Sequence, residues 1–104
     1  MSLAKPRTND SALRVLRVMK ALKGHSLHGL SNGELAKALG ESPANITRYM
    51  STLIEAGFAI KLDTGRFAPG MALLQIAQAH TNEMSHAQSR ITEINQRVFA
   101  GSHN

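Results

Sequence analysis

The chain has 104 residues, enough for one domain and too few for a large enzyme, and a content of 42% hydrophobic and 18% charged residues is that of a folded globular protein. With no cysteine it can form no disulfide and offers no thiolate to zinc or to nucleophilic chemistry; with no run of roughly 18 apolar residues and no apolar signal core near its start, it reads as soluble and cytoplasmic. Twelve Lys+Arg against seven Asp+Glu give a net charge of +5, and that excess lies wholly within residues 1–70, while residues 71–104 balance Arg90 and Arg97 against Glu83 and Glu93. Such an asymmetry fits a domain that meets a polyanion joined to a segment with another task, although a basic surface kept for solubility accounts for the charge equally well.

Residues 1–10, with Lys5, Pro6 and Arg7 and little apolar content, read as a flexible basic arm. A helix is expected from Asp10 or Ser11 as N-cap to Lys23, with Leu13, Leu16, Met19 and Leu22 as its apolar stripe and Gly24 as its stop. Arg14, Arg17, Lys20 and Lys23 form a basic stripe on the same helix, part of it suited to phosphate and part to water. Residues 25–29 are loop-like, and Leu27 and Leu30 give either a short strand or a pin that holds the loop to the core.

Ser31-Asn32-Gly33-Glu34 is a capping box, so a second, short helix begins at Asn32, buries Leu35, Ala36 and Leu39, and ends at Gly40. Ser42-Pro43 then supplies an oxygen-bearing cap followed by a proline at the first helical position. The third helix that follows buries Ile46, Met50, Leu53 and Ile54 and stops at Gly57. The two short helices make a helix-turn-helix. Residues 58–62 and 66–68 are expected strands around the Asp63-Thr64-Gly65 turn, closed by Pro69-Gly70. A hairpin directly after a helix-turn-helix is the arrangement of a winged helix, here over residues 11–70, mainly α with a small β wing (α+β).

From Met71 to about Phe99 no proline or glycine interrupts the chain, which predicts a helix about 42 Å long at about 1.5 Å per residue, with residues 100–104 as a frayed tail. Leu73, Ala77, His80, Met84, Ala87, Ile91, Ile94 and Val98 follow at alternating spacings of 4 and 3, a heptad seam. The seam pairs two chains into a homodimer, or else the first turns fold back on their own domain; both can hold. His80 within it predicts pairing that weakens as pH falls, if its charged form finds no partner there.

The outer face of the third helix carries Ala44, Asn45, Thr47, Arg48, Ser51 and Thr52, with Ser42 at its cap. A face made only for water usually carries Lys and Glu, whereas short hydroxyl and amide groups suit close approach to base edges and phosphates. Asn45 can bind adenine or a phosphate, Ser42, Thr47, Ser51 and Thr52 can donate to phosphates or meet a thymine methyl, and Arg48 suits phosphate or guanine. Lys61 and Arg66, flanking the wing tip, either reach the minor groove and its phosphates or are solvated. His25 and His28 lack a third ligand at a diagnostic spacing, so no metal is expected. No glycine-rich phosphate loop, nucleophile motif or acid pair is present, so neither catalysis nor a cofactor is expected.

The stretch from Ser11 to Gly70 resembles the N-terminal winged-helix domain of IclR-type transcriptional regulators. The likeness rests on Ala12-Leu13-Arg14-Val15-Leu16, on Leu30-Ser31 with Glu34-Leu35-Ala36, and on Leu39-Gly40 at the turn. It continues in Ile46-Thr47-Arg48, in residues 52–58, in Thr64-Gly65-Arg66-Phe67 and in Pro69-Gly70. The resemblance implies sequence-specific binding of double-stranded DNA by the third helix, Arg48 near the backbone, a dimer formed through the first helix and the linker helix, and a place in a bacterial cytoplasm or nucleoid. Ser42-Pro43-Ala44-Asn45 departs from the family's usual opening of this helix, which leaves the target sequence open. The chain also stops where the family's ligand-binding domain would begin, so no small-molecule effector is expected. A small dimeric transcriptional regulator is therefore the expected function. An assembly module that uses its winged helix on a protein partner, in packaging or replication, and a non-specific DNA-binding protein are the alternatives.

Overall fold

In the computed structural model, residues 5–102 are described; the first four residues of the expected arm and the last two of the expected tail lie outside them. The element order is α1 (Asp10–Ala21), α2 (Asn32–Leu39), α3 (Pro43–Glu55), β1 (Ala59–Lys61), β2 (Phe67–Pro69) and α4 (Met71–Ser102). The fold is a winged helix. Residues up to Leu74 form one compact unit and residues from Gln75 onward another.

Each helix of the first unit starts where its cap chemistry dictates. Asn9, rather than Asp10 or Ser11, caps α1, its side chain accepting the Ala12 N–H at 2.9 Å. The capping box of α2 is complete in both directions, with Ser31 Oγ accepting the Glu34 N–H at 3.1 Å and Glu34 Oε1 accepting the Ser31 N–H at 3.0 Å. Ser42 caps α3 by accepting the Asn45 N–H at 3.1 Å, with Pro43 in the first turn. Gly40 ends α2 in the left-handed region at φ 66°, where a side chain would be strained.

The core corrects two of the expected apolar stripes. In α1 the inward residues are Val15, Val18, Met19 and Leu22, a complete i, i+3, i+4, i+7 set, while Leu13 and Leu16 are exposed on its flank. In α3 the same pattern selects Ile46, Tyr49, Met50 and Leu53, so Tyr49 is inside and Ile54 outside. Val18, Leu22, Leu35, Ile46, Met50 and Leu53 are fully buried. At about 1.5–3 kcal/mol for each large aliphatic side chain removed from water, this cluster is the main source of stability for a domain without disulfides.

The wing is the antiparallel pair of β1 and β2, with Ala59 opposite Pro69, Ile60 opposite Ala68 and Lys61 opposite Phe67. Both strands are three residues long: β1 is shorter than the expected run of 58–62, and β2 lies one residue later than the expected 66–68. Leu30 joins the wing through an isolated bridge: its N–H donates to the Phe67 carbonyl at 2.8 Å, and the Phe67 N–H returns to Leu30 at 2.7 Å. Leu27 stays exposed, so of these two leucines it is Leu30 that pins the loop. Gly29 is required beside this bridge, because its φ is 67° and a Cβ there would lie 2.5 Å from the Phe67 carbonyl oxygen.

The first turn of α4 belongs to the same unit. The Ala72 N–H donates to the Gly57 carbonyl at 3.0 Å, and Ala72 and Leu73 are half-buried. From Leu74 to Ser102 every residue is exposed. The helix continues to Ser102 rather than stopping at Phe99, so the expected fraying of residues 100–102 is corrected; Ser102 Oγ donates to the Phe99 carbonyl at 2.7 Å and satisfies a last-turn acceptor. Among the described residues no helix is long and apolar enough to cross a membrane.

Candidate nucleic-acid interface

Packing the Ile46, Tyr49, Met50 and Leu53 stripe inward turns the opposite side of α3 outward. Ala44, Thr47, Arg48, Ser51 and Thr52 are all exposed, as is the cap residue Ser42, and Asn45 is half-buried. The structure thus brings the expected outer-face residues of α3 onto one surface. Arg48 sits at its middle, one turn from Ala44 and from Ser51 and Thr52, and its guanidinium has no hydrogen bond or ion pair among the described residues.

The neighbouring polar groups are already engaged. Thr47 Oγ1 donates to the Pro43 carbonyl at 3.0 Å, Ser51 Oγ to the Thr47 carbonyl at 2.9 Å, and Thr52 Oγ1 to the Arg48 carbonyl at 3.2 Å. Each hydroxyl proton is therefore spent within the helix, and the three residues present lone pairs outward, with methyl groups from Thr47 and Thr52 alone, not the donors expected for phosphate contact. Ser42 Oγ is engaged as an acceptor by its cap bond and retains its proton. Asn45 Nδ2 donates to Glu41 Oε2 at 3.2 Å, and the other carboxylate oxygen of Glu41 lies 3.7 Å from Arg14 Nε on α1. The Tyr49 hydroxyl, followed by the Glu41 carboxylate, pushes the Arg14 guanidinium above its ordinary value, so this part of the basic stripe is tied to the start of α3. Arg17, Lys20 and Lys23 are exposed on the same helix.

Two structural residues give no warning in the sequence. Asn32 Nδ2 donates both to the Pro43 carbonyl at 3.1 Å and to Thr47 Oγ1 at 3.0 Å, so one amide of α2 sets the start of α3 across the turn. Glu41 holds Asn45. Both lie among cap and turn signals that already explain a polar residue, and only the fold reveals their second task.

At the wing the two expected cations part company. Lys61 is exposed, its Nζ 6.0 Å from the centre of the Phe67 ring across the strand pair. Arg66 instead turns toward the protein. Its Nε donates to the His28 carbonyl at 2.9 Å, its Nη2 to the Gly29 carbonyl at 3.0 Å, and its Nη1 lies 2.8 Å from Glu34 Oε1. The Ser31 N–H, the Ser31 hydroxyl and then Arg66 hold the Glu34 carboxyl below the usual carboxylate range. His25 and His28 line a shallow pocket of about 260 Å³ with Gly24, Ser26 and Leu27. Among the described residues no three His, Asp or Glu come together in a way that could hold a metal ion.

On this geometry the chain compares with known proteins as follows. Residues 11–62 match the family model of the IclR helix-turn-helix domain, half of the chain. The crystal structure of Pseudomonas aeruginosa HmgR is similar over 74% of this chain with a TM-score of 0.65 and 26% sequence identity. The match covers 33% of that chain, so the present sequence spans about a third of its length. No curated protein matches the chain.

Proposed function

This chain belongs to the IclR helix-turn-helix domain family, whose business is DNA-binding transcription regulation, and on that premise we propose that it recognises a specific double-stranded DNA site as a two-fold homodimer. The single observation that carries the reading is the outward face of α3, where an unpartnered Arg48 stands among short side chains that let the helix approach base edges closely. In this reading α3 enters the major groove, and Arg48 takes a phosphate or a guanine edge. Asn45 swings from Glu41 to an adenine or phosphate, Ser42 donates to a phosphate, and Thr47 and Thr52 offer methyls and, with Ser51, lone pairs to bases. Lys61 is the wing's phosphate contact. The arm and the exposed cations of α1 add non-specific attraction that falls steeply with salt.

Pairing is supported by α4, which buries no residue within its own chain. Ala77, His80, Met84, Ala87, Ile91, Ile94 and Val98 are exposed at heptad spacing, an apolar strip that a second copy would cover; Leu73, already half-buried, contributes less. Leu13 and Leu16 on α1, beside an apolar groove of about 300 Å³ lined by residues that include Ala12, Val15, Leu53 and Phe58, offer a further surface for the same association. Two-fold pairing would set two half-sites about 34 Å apart, or a multiple of that.

The test is selection from a random DNA pool followed by competition. One enriched, two-fold symmetric sequence that survives an excess of random DNA supports the reading; enrichment lost to random competitor would make this a non-specific DNA-binding protein. An Arg48→Ala chain that binds the selected sequence as tightly as the unaltered one would contradict it.

A further inference from the structure

From the contacts of Arg66 we infer that it is a positioning residue that braces the wing against the helix-turn-helix, and that it is not a phosphate ligand; the inference rests on the DNA-binding reading above. A guanidinium offers its donors in one rigid plane, which lets a single side chain bridge several acceptors at once. Arg66 uses all three nitrogens in this way. Nε and Nη2 reach the His28 and Gly29 carbonyls, in the loop that leads into Leu30, and Nη1 reaches Glu34, the residue that closes the capping box of α2. Three parts of the domain, hairpin, loop and α2, therefore meet on one side chain.

The backbone around it is built to the same plan. The Arg66 carbonyl accepts the Leu62 N–H at 2.7 Å, and the next residue, Phe67, exchanges two hydrogen bonds with Leu30. Glu34 Oε1 accepts both Arg66 and the Ser31 N–H, so the anion that caps α2 also anchors the wing. As an exposed ion pair, Arg66–Glu34 would count for little by itself; the two carbonyl acceptors make the orientation specific. A guanidinium already neutralised by a carboxylate releases no counterion from DNA, so the wing's contribution to the salt dependence falls to Lys61.

The experiment uses the full chain with Arg66→Gln, Arg66→Lys and Glu34→Gln. It measures affinity for the selected DNA at several salt concentrations, and amide hydrogen exchange at Leu62 and Phe67 in the free protein. As a brace, Arg66→Gln weakens binding about tenfold, the size of one good contact. It leaves the slope of log affinity against log salt unchanged and exposes both wing amides to exchange. Arg66→Lys fails to restore either property, because an ammonium cannot span three acceptors. Glu34→Gln weakens binding in the same direction although it removes a negative charge. The inference is overturned if Arg66→Gln lowers the slope by about 0.9, the loss of one phosphate contact, while the wing amides stay protected. It is equally overturned if Lys restores affinity, or if Glu34→Gln tightens binding by freeing the arginine. A chain that binds no DNA defeats the reading in the preceding subsection, and the brace then stands or falls on wing amide exchange alone.

Discussion

Arg48 on α3 and Arg66 beside β2 carry the same group on the basic portion of the chain, and the fold leaves them in opposite states. Arg48 is exposed and unpartnered among the described residues, whereas Arg66 gives three nitrogens to two carbonyls and a carboxylate. The difference lies in what surrounds each in the folded domain. Around Arg48 the guanidinium donates to no group among the described residues, and the nearby Ser51 and Thr52 hydroxyls spend their own protons on helix carbonyls. Around Arg66 a loop held by Gly29 offers two outward carbonyls within reach of one plane. On the proposed reading, Arg48 is a DNA ligand because its donors are unspent, and Arg66 is not because its donors are already used.

The sharpest way to break this comparison is to disturb what turns α3 outward. Met50→Ala, in the stripe that faces the core, is expected to cost about 2–5 kcal/mol of stability, read from denaturant unfolding, and to reduce DNA binding only through loss of folded protein. A Met50→Ala chain of unaltered stability would mean that the buried face of α3 has been misassigned. Next in size, Arg48→Ala should lower affinity for the selected site by about 1–3 kcal/mol while leaving the melting temperature in place. A loss of stability instead of affinity would make Arg48 a structural residue like Arg66.

Asn32→Ala removes the amide that joins α2 to the first turn of α3, at an expected cost of about 1 kcal/mol, or roughly 4–8 °C in melting temperature for a domain of this size. An effect on affinity should follow as well, through the loosened start of α3. The smallest effect concerns acid. Glu34 has its carboxyl pKa lowered in the folded state, so its contribution is present above the unfolded value of about 4.3 and is lost as pH falls through the folded value. Unfolding followed from about pH 6 down to pH 3 should show this loss in the unaltered chain and a smaller one in Glu34→Gln.

Much of this was legible in advance because it depends on local chemistry. The capping box at Ser31, the Ser42-Pro43 start of α3, the Gly40 stop and the wing turn are all written in a few adjacent residues, and α2 and α3 begin there, whereas α1, expected to run to Lys23, ends at Ala21. The face of α3 was legible for the same reason. Less could be read where two apolar stripes overlap: Leu13 and Leu16 compete with Val15 and Val18, and only the contact with α3 decides which pair is buried. Ile54 lost to Tyr49 in the same way. The bonds from Asn32 to Thr47 and from Arg66 to His28 and Gly29 join residues distant in the chain, and no spacing rule announces them.

The most direct measurement exploits the absence of cysteine from the chain. A single Ser51→Cys, exposed on the outer face of α3, can carry an iron-based DNA-cleaving reagent, with Ser89→Cys on α4 as the control position. Groove insertion of α3 predicts cuts confined to a few neighbouring nucleotides in each half-site from position 51 and none there from position 89. Diffuse cutting from position 51, or equal cutting from both, would contradict the claim that this face of α3 meets the bases.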